Sequence, residues 1–139
     1  GVGCIAPVIC ERGVSHPGGG AQEQWRREAI AAIKQSGNGY LPRFIDPMEF
    51  DKLAEEGGAG IYGESGGRSP DGCPVDEMQG KAGTISVWIG PEGGFTEREK
   101  GVLERMGCTA ISVGRWTLRV ETAVPALLGW LSGRGLLDQ

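Results

Sequence analysis

Two short stretches carry residue types that could do chemistry. Gly90-Pro91-Glu92-Gly93-Gly94-Phe95 follows the apolar run Thr84 to Ile89 and precedes Thr96-x-x-Glu99, a capping-box signature that starts a helix reaching about Met106. Glycines let backbone approach a ligand, and a helix N-terminus offers unpaired N–H donors. Ligands of open α/β sheets bind at such strand-to-helix turns. A plain connection would need fewer special residues than this one has. The second stretch holds Arg115, Arg119, Glu121 and Thr122, after the apolar run Thr109 to Val113. Alone it reads as a capped helix start, with Thr122 as cap, Glu121 complementing the helix dipole and the arginines solvated. Its place after a second strand, beside the glycine turn, gives it weight as a site. Gly58 to Gly63 matches G-x-G-x-x-G, but it follows a helix and leads into a strand. A dinucleotide site requires the reverse, so the match carries no cofactor.

The remaining segments have to hold these turns in place. Cys4 to Ile9 reads as a short buried strand with Pro7 interrupting it, and Ala21 to Gln35 as a helix with Trp25, Ala29 and Ile33 on one stripe, widened by Ile30 and Ala32. Leu41 to Ile45 is a weak strand. Asp46, Pro47 and Glu49 predict a cap and first turn for a helix to about Glu56. Ala59 to Tyr62 is a strand, Glu64 to Gly80 a loop expected to be mobile, and the last helix starts with Thr122 as cap so that Pro125 falls in its first turn. Strands alternating with helices imply an α/β domain with a mostly parallel sheet flanked by helices.

Composition bounds the chemistry. The 139 residues include 26 glycines and 8 prolines, yet 39% are hydrophobic and 4 are Trp, which is enough for a core. One histidine, His16, excludes a His-rich metal site. Cys4, Cys10, Cys73 and Cys108 form no C-x-x-C pair, which argues against metal ligation; they are expected as reduced thiols, although two disulfides are possible by count. No apolar stretch approaches a membrane span, and the N-terminus lacks a signal-peptide pattern, so a cytoplasmic location is expected. The net charge of −4 argues against a grip on nucleic acid by bulk field alone.

Val87-Trp88-Ile89-Gly90-Pro91-Glu92-Gly93-Gly94-Phe95-Thr96 together with Leu118-Arg119-Val120-Glu121-Thr122-Ala123 resembles the RsmE family of 16S ribosomal RNA uridine-N3 methyltransferases, of the SPOUT class. The likeness extends over nearly the whole chain. Gly1-Val2 resembles the end of the family's E-L-G-V, Pro7 with Glu11-Arg12 its P-x-x-x-E-R, and Gln35-Ser36-Gly37 with Pro42 its E-Q-S-G-R…P. There are departures. Lys34 and Asn38 stand where the family has Glu and Arg, and Tyr62-Gly63 precedes Glu64 where it has His-Pro. Trp116 replaces its first arginine in the last motif, with Arg115 displaced by one position.

The resemblance implies a SPOUT-type α/β knot, a deep trefoil knot near the C-terminus, with residues 1–139 as a single methyltransferase domain. The family's first strand and helix of that domain, and its N-terminal RNA-binding β-barrel, have no counterpart here. It implies S-adenosylmethionine bent in a pocket of three loops. Tyr62, Gly63 and Glu64 would come from the first, Ile89, Gly90, Pro91, Glu92, Gly93 and Gly94 from the second, and Val113, Gly114 and Leu118 with Thr122 and Ala123 from the third. Arg119, Glu121 and Arg12 are the implied catalytic residues: Arg119 for the uracil oxygens, Arg12 for RNA, Glu121 to orient Arg119 or help with the N3 proton. The implied substrate is 16S ribosomal RNA or the small ribosomal subunit, with local RNA contacts from Arg12, Arg26, Arg27 and Arg43. A homodimer is implied through the C-terminal helix and its Leu127, Leu128, Trp130 and Leu131, with no membrane partner. Two alternatives stand beside it: a knotted RNA- or partner-binding module without turnover, and a nucleotide-binding α/β protein using Gly90 to Gly94. Against the latter, no Lys-Ser/Thr follows that turn.

Overall fold

The computed structural model describes residues 1–14, 18, 20–78 and 83–137. His16 and Gly80 lie outside them. The first third of the chain is a β–α–β arrangement. β1 (Cys4–Ile5) pairs in parallel with β3 (Arg43–Phe44), and β2 (Val8–Ile9) with β4 (Met48–Glu49), with α1 (Ala21–Ser36) between the two halves. The single strand expected over Cys4 to Ile9 is therefore two short ladders. Pro7 and Pro47, which have no N–H to donate, sit at the break. β1 is exposed rather than buried, and Cys4 with it. α1 lies between the left-handed Gly20 and Gly37, and its Trp25 ring stacks on Phe44 with centroids 6.4 Å apart. Its apolar stripe is half-buried, and Ala32 lies outside it.

α2 spans Phe50–Glu56 and has Glu49 as its cap, so the start expected at Asp46-Pro47 is wrong. Met48 and Glu49 are held extended by the ladder to β2, and that pairing overrides the local capping signal. The main sheet is parallel throughout, in the order β6 (Ser86–Trp88), β5 (Gly60–Arg68), β7 (Cys108–Ile111). β5 is the middle strand. Gly60 is required there: a Cβ would fall 2.0 Å from the Ser86 carbonyl oxygen. β5 runs on to Arg68, through what reads as loop in the sequence, and its register against β7 shifts between Gly63 and Arg68, so residues 64–67 bulge from the ladder. Among the described residues after it are the single 3-10 turns Pro70–Gly72 and Val75–Glu77, the latter fixed by the fully buried Val75.

Side chains alternate across this sheet, as strand geometry requires. Tyr62, Trp88 and Cys108 face α2 and α3 (Glu97–Arg105), forming one core with Cys10, Phe50, Ala54, Phe95 and Leu103. Within it Phe50 packs on Trp88 and Phe95 at 5.6 and 5.9 Å, and Tyr62 meets Phe95 edge-on at 6.2 Å. Ile61 and Ile111 face the other way, with Cys73, Val75, Leu127 and Leu131. Each such buried side chain contributes roughly 1.5–3 kcal/mol. α3 begins with the expected capping box: Thr96 Oγ1 accepts the Glu99 N–H at 3.2 Å, and Glu99 Oε2 accepts the Thr96 N–H at 2.8 Å.

α4 (Val120–Gly133) is capped by Arg119, not by Thr122. The Arg119 carbonyl accepts the N–H groups of Thr122 and Ala123, so the helix starts earlier than expected and Pro125 lies inside it. Leu127 and Leu131 are buried in the chain's own core; Leu128 and Trp130 are only partly covered. Among the described residues no cysteine is in a disulfide, no cluster of His, Cys, Asp and Glu is placed to hold a metal, and no helix is long and apolar enough to cross a membrane.

Candidate functional site

The carboxyl ends of the three sheet strands open onto a cavity of about 270 Å³, near the lower end of the range for small-molecule sites, roughly 300–1,000 Å³. Three loops make it. The first is the β5 bulge, which carries Glu64 and Ser65 out of the ladder behind Gly63. The second is the glycine turn after β6, closed by the Gly94 N–H donating to the Pro91 carbonyl at 2.7 Å, with Gly94 left-handed at φ 69°. That conformation suits glycine and strains other residues. The third follows β7, where Ser112 Oγ lies 2.8 Å from the Gly114 carbonyl oxygen and 3.3 Å from that of Ser65, linking the third loop to the first.

Much of what these loops present is backbone. The apolar wall comes from Ile89, Val113, Leu118 and Leu127, with Phe95 beneath the turn. Two charged groups enter from outside the loops. Arg12, on the segment after β2, donates from its guanidinium to the Gly93 carbonyl at 2.9 Å and so holds the outer side of the turn. Lys100, on α3, pairs with Glu64 at 2.9 Å and with Glu97 at 3.1 Å, and these hydrogen bonds, Glu64 first, raise its pKa. Glu64 is thus clamped where β5 leaves the sheet. An apolar slot edged by backbone polar groups, two carboxylates (Glu64 and Glu92) and two cations suits a ligand that is part heterocycle, part zwitterion.

Of the residues singled out from sequence, Arg12, Gly63, Glu64, Ile89 to Gly94, Val113, Gly114, Leu118 and Ala123 come together around this cavity. Tyr62 does not line it. Its ring is buried and its hydroxyl donates to Glu104 at 3.2 Å; burial and then that bond push its pKa up to about 12. Thr122 lies outside as well, one turn into α4. Arg119 and Glu121 are exposed, 3.9 Å apart in a loose pair, although Leu118 and Val120 on either side of Arg119 line the cavity. Lys100 was not legible as a site residue. It sits in the first turn of α3, and only the bulged course of β5 brings Glu64 to it.

Comparisons with known proteins bear on the site. Residues 1–132 match the family model described as RNA methyltransferase domain. The ribosomal RNA small subunit methyltransferase E of Aquifex aeolicus is 31% identical over 133 residues, which is 94% of this chain and 57% of that protein. A Legionella pneumophila protein solved with the cofactor SAM bound superposes with a TM-score of 0.79 at 27% identity, over 96% of this chain and 56% of that one. The ribosomal RNA small subunit methyltransferase E of Neisseria gonorrhoeae, bound to S-adenosyl methionine, gives 0.76 at 26% identity, over 95% and 56%. The chain therefore spans little more than half the length of these relatives. With the family match running over nearly all its residues, it belongs to the RNA methyltransferase domain family.

Proposed function

We propose that this chain is the methyl-transfer domain of an S-adenosylmethionine-dependent enzyme that methylates N3 of a uridine in 16S ribosomal RNA. One observation carries the reading: the three-loop cavity at the strand ends, built around the glycine turn, in a chain of this family whose structural neighbours hold S-adenosylmethionine. The cavity fits that molecule. Backbone groups of the turn and of the Val113 to Leu118 loop would hold adenine and ribose, the apolar wall would cover the ring, and Glu64 with Lys100 would face its charged end.

S-adenosylmethionine supplies an electrophilic methyl group on a sulfonium. The protein's part is then alignment of the nucleophile and exclusion of water. Uridine N3 carries a proton, so the pyrimidine must lose it or have its anionic form stabilised. Arg119 would stabilise the uracil oxygens and Glu121 would orient Arg119 or take part in the proton's removal, both moving in from their exposed positions; Arg12 would hold the turn and meet RNA. We assign to the same reading a trefoil knot formed as the chain passes from β7 into α4, and a homodimer through α4, where Leu128 and Trp130 remain only partly covered. RNA affinity would reside largely in a separate RNA-binding domain, and the enzyme would work in the cytoplasm on the small ribosomal subunit. A second reading, a binding module without turnover, is favoured by Arg119 and Glu121 standing outside the cavity lining. Calorimetry with S-adenosylmethionine and with ATP tests the cofactor: binding of the first alone supports the proposal, and binding of ATP alone overturns it. Methyl transfer to unmodified small-subunit particles by the full-length protein separates enzyme from binding module.

A further inference from the structure

Trp116 is 74% exposed, the most exposed of the four tryptophans, and it lies on the cavity lining rather than on a remote surface. The guanidinium of Arg115 sits over its ring, 5.5 Å from the centroid. Arg119, 84% exposed in its side chain, follows three residues after it, and Arg12 reaches the opposite loop at Gly93. An indole left in water at the mouth of a cavity, with a cation stacked on one face and Arg12 on the same cavity lining, is an arrangement that suits a nucleobase from a single strand. Every base has a π-face to stack on, and the cations meet the phosphates that accompany it. Enzymes that modify a base must also take it out of its stack and offer it a new one.

We propose that Trp116 is a stacking platform for a base of single-stranded RNA at the cavity mouth, with Arg115 bracing the ring. The platform rests on the functional reading above and names how its substrate is gripped. Trp116 is a substrate-binding residue here, in direct contact with the base.

The test is titration of a short uridine-containing single-stranded RNA, and separately of S-adenosylmethionine, into the chain and its Trp116→Ala and Trp116→Phe variants. Trp116→Ala is expected to weaken RNA binding about tenfold, with Trp116→Phe recovering most of it, because the ring and not the indole N–H does the stacking. The loss should fall on RNA and not on S-adenosylmethionine. Unchanged RNA affinity in Trp116→Ala overturns the proposal. So does an equal loss for both ligands, which would put the cofactor's adenine against the ring, and so does a parent chain that binds no RNA. If RNA binds through Trp116 while S-adenosylmethionine does not bind at all, the platform stands and the methyltransferase reading fails.

Discussion

Glu99, fully buried on α3, accepts the backbone N–H of Glu11 through Oε1 at 3.0 Å. Its other oxygen accepts the Thr96 N–H at 2.8 Å. One carboxyl group therefore fixes the start of the helix behind the glycine turn and the backbone just ahead of Arg12, whose guanidinium closes the loop at Gly93. Glu99→Ala strands both donors and is expected to cost about 2–4 kcal/mol of stability. Glu99→Gln keeps one acceptor and should cost less. Urea unfolding of the two variants checks this, and equal midpoints would contradict it.

Arg12 and Arg119 should separate in binding experiments. Arg12→Ala frees the outer side of the turn and is expected to weaken S-adenosylmethionine binding about tenfold, the scale of one charge-assisted hydrogen bond. Arg119→Ala should leave that affinity nearly unchanged, because the side chain stands outside the cavity lining, and should lower methyl transfer instead. Calorimetry and a transfer assay on the same samples distinguish the two roles.

The local signals in the sequence were reliable where the neighbourhood decided the outcome. The Thr96–Glu99 capping box is present atom for atom, and α1 runs Ala21–Ser36 against the expected Ala21 to Gln35, because both depend on residues a few positions apart. Asp46-Pro47 carried a similar signal and lost it to the β2–β4 ladder, a contact no local pattern contains. The same holds for β5, whose course past Gly63 reads as loop and yet rejoins β7 at Arg68. In the candidate site the glycine turn and the loop after β7 were legible by composition. Lys100 was not, because its place depends on where the bulge carries Glu64, nor was the withdrawal of Tyr62 into the core.

Alkaline pH should loosen the fold. Burial, with the Glu99 charge adding to it, pushes the Cys10 thiol up to about 12; burial and Glu104 push Tyr62 to about 12; burial pushes Cys108 to about 11. The ordinary values are 9.0 for the thiols and 10.0 for the phenol. Groups whose pKa is raised by folding favour the folded state fully below the unfolded value, and that contribution is lost as pH rises through the folded value. Stability should therefore hold up to about pH 9 and fall between there and about pH 12. Urea midpoints across that range check it. In parallel, a thiol reagent at neutral pH should modify exposed Cys4 and spare the three buried cysteines.

Gly60→Ala should be among the most damaging single changes. Its methyl group would collide with the Ser86 backbone, which cannot yield without opening the β5–β6 ladder, and a loss of about 3 kcal/mol or more is expected. Thermal unfolding with Gly66→Ala as comparison, where a Cβ would meet nothing within 4 Å, measures it.

The middle position of β5 has a consequence for how this protein comes into being. Both of its partners arrive later in the chain, β6 first and β7 last, and neither can be reached through a hairpin. No part of the main sheet can therefore assemble from neighbouring residues, and acquisition of structure is governed by distant closures, which are slow. During synthesis β5 waits with both edges open, and a nascent chain halted before Cys108 would still offer one of them to any other unpaired strand. The cavity, which needs the ends of all three strands, is among the last things to exist.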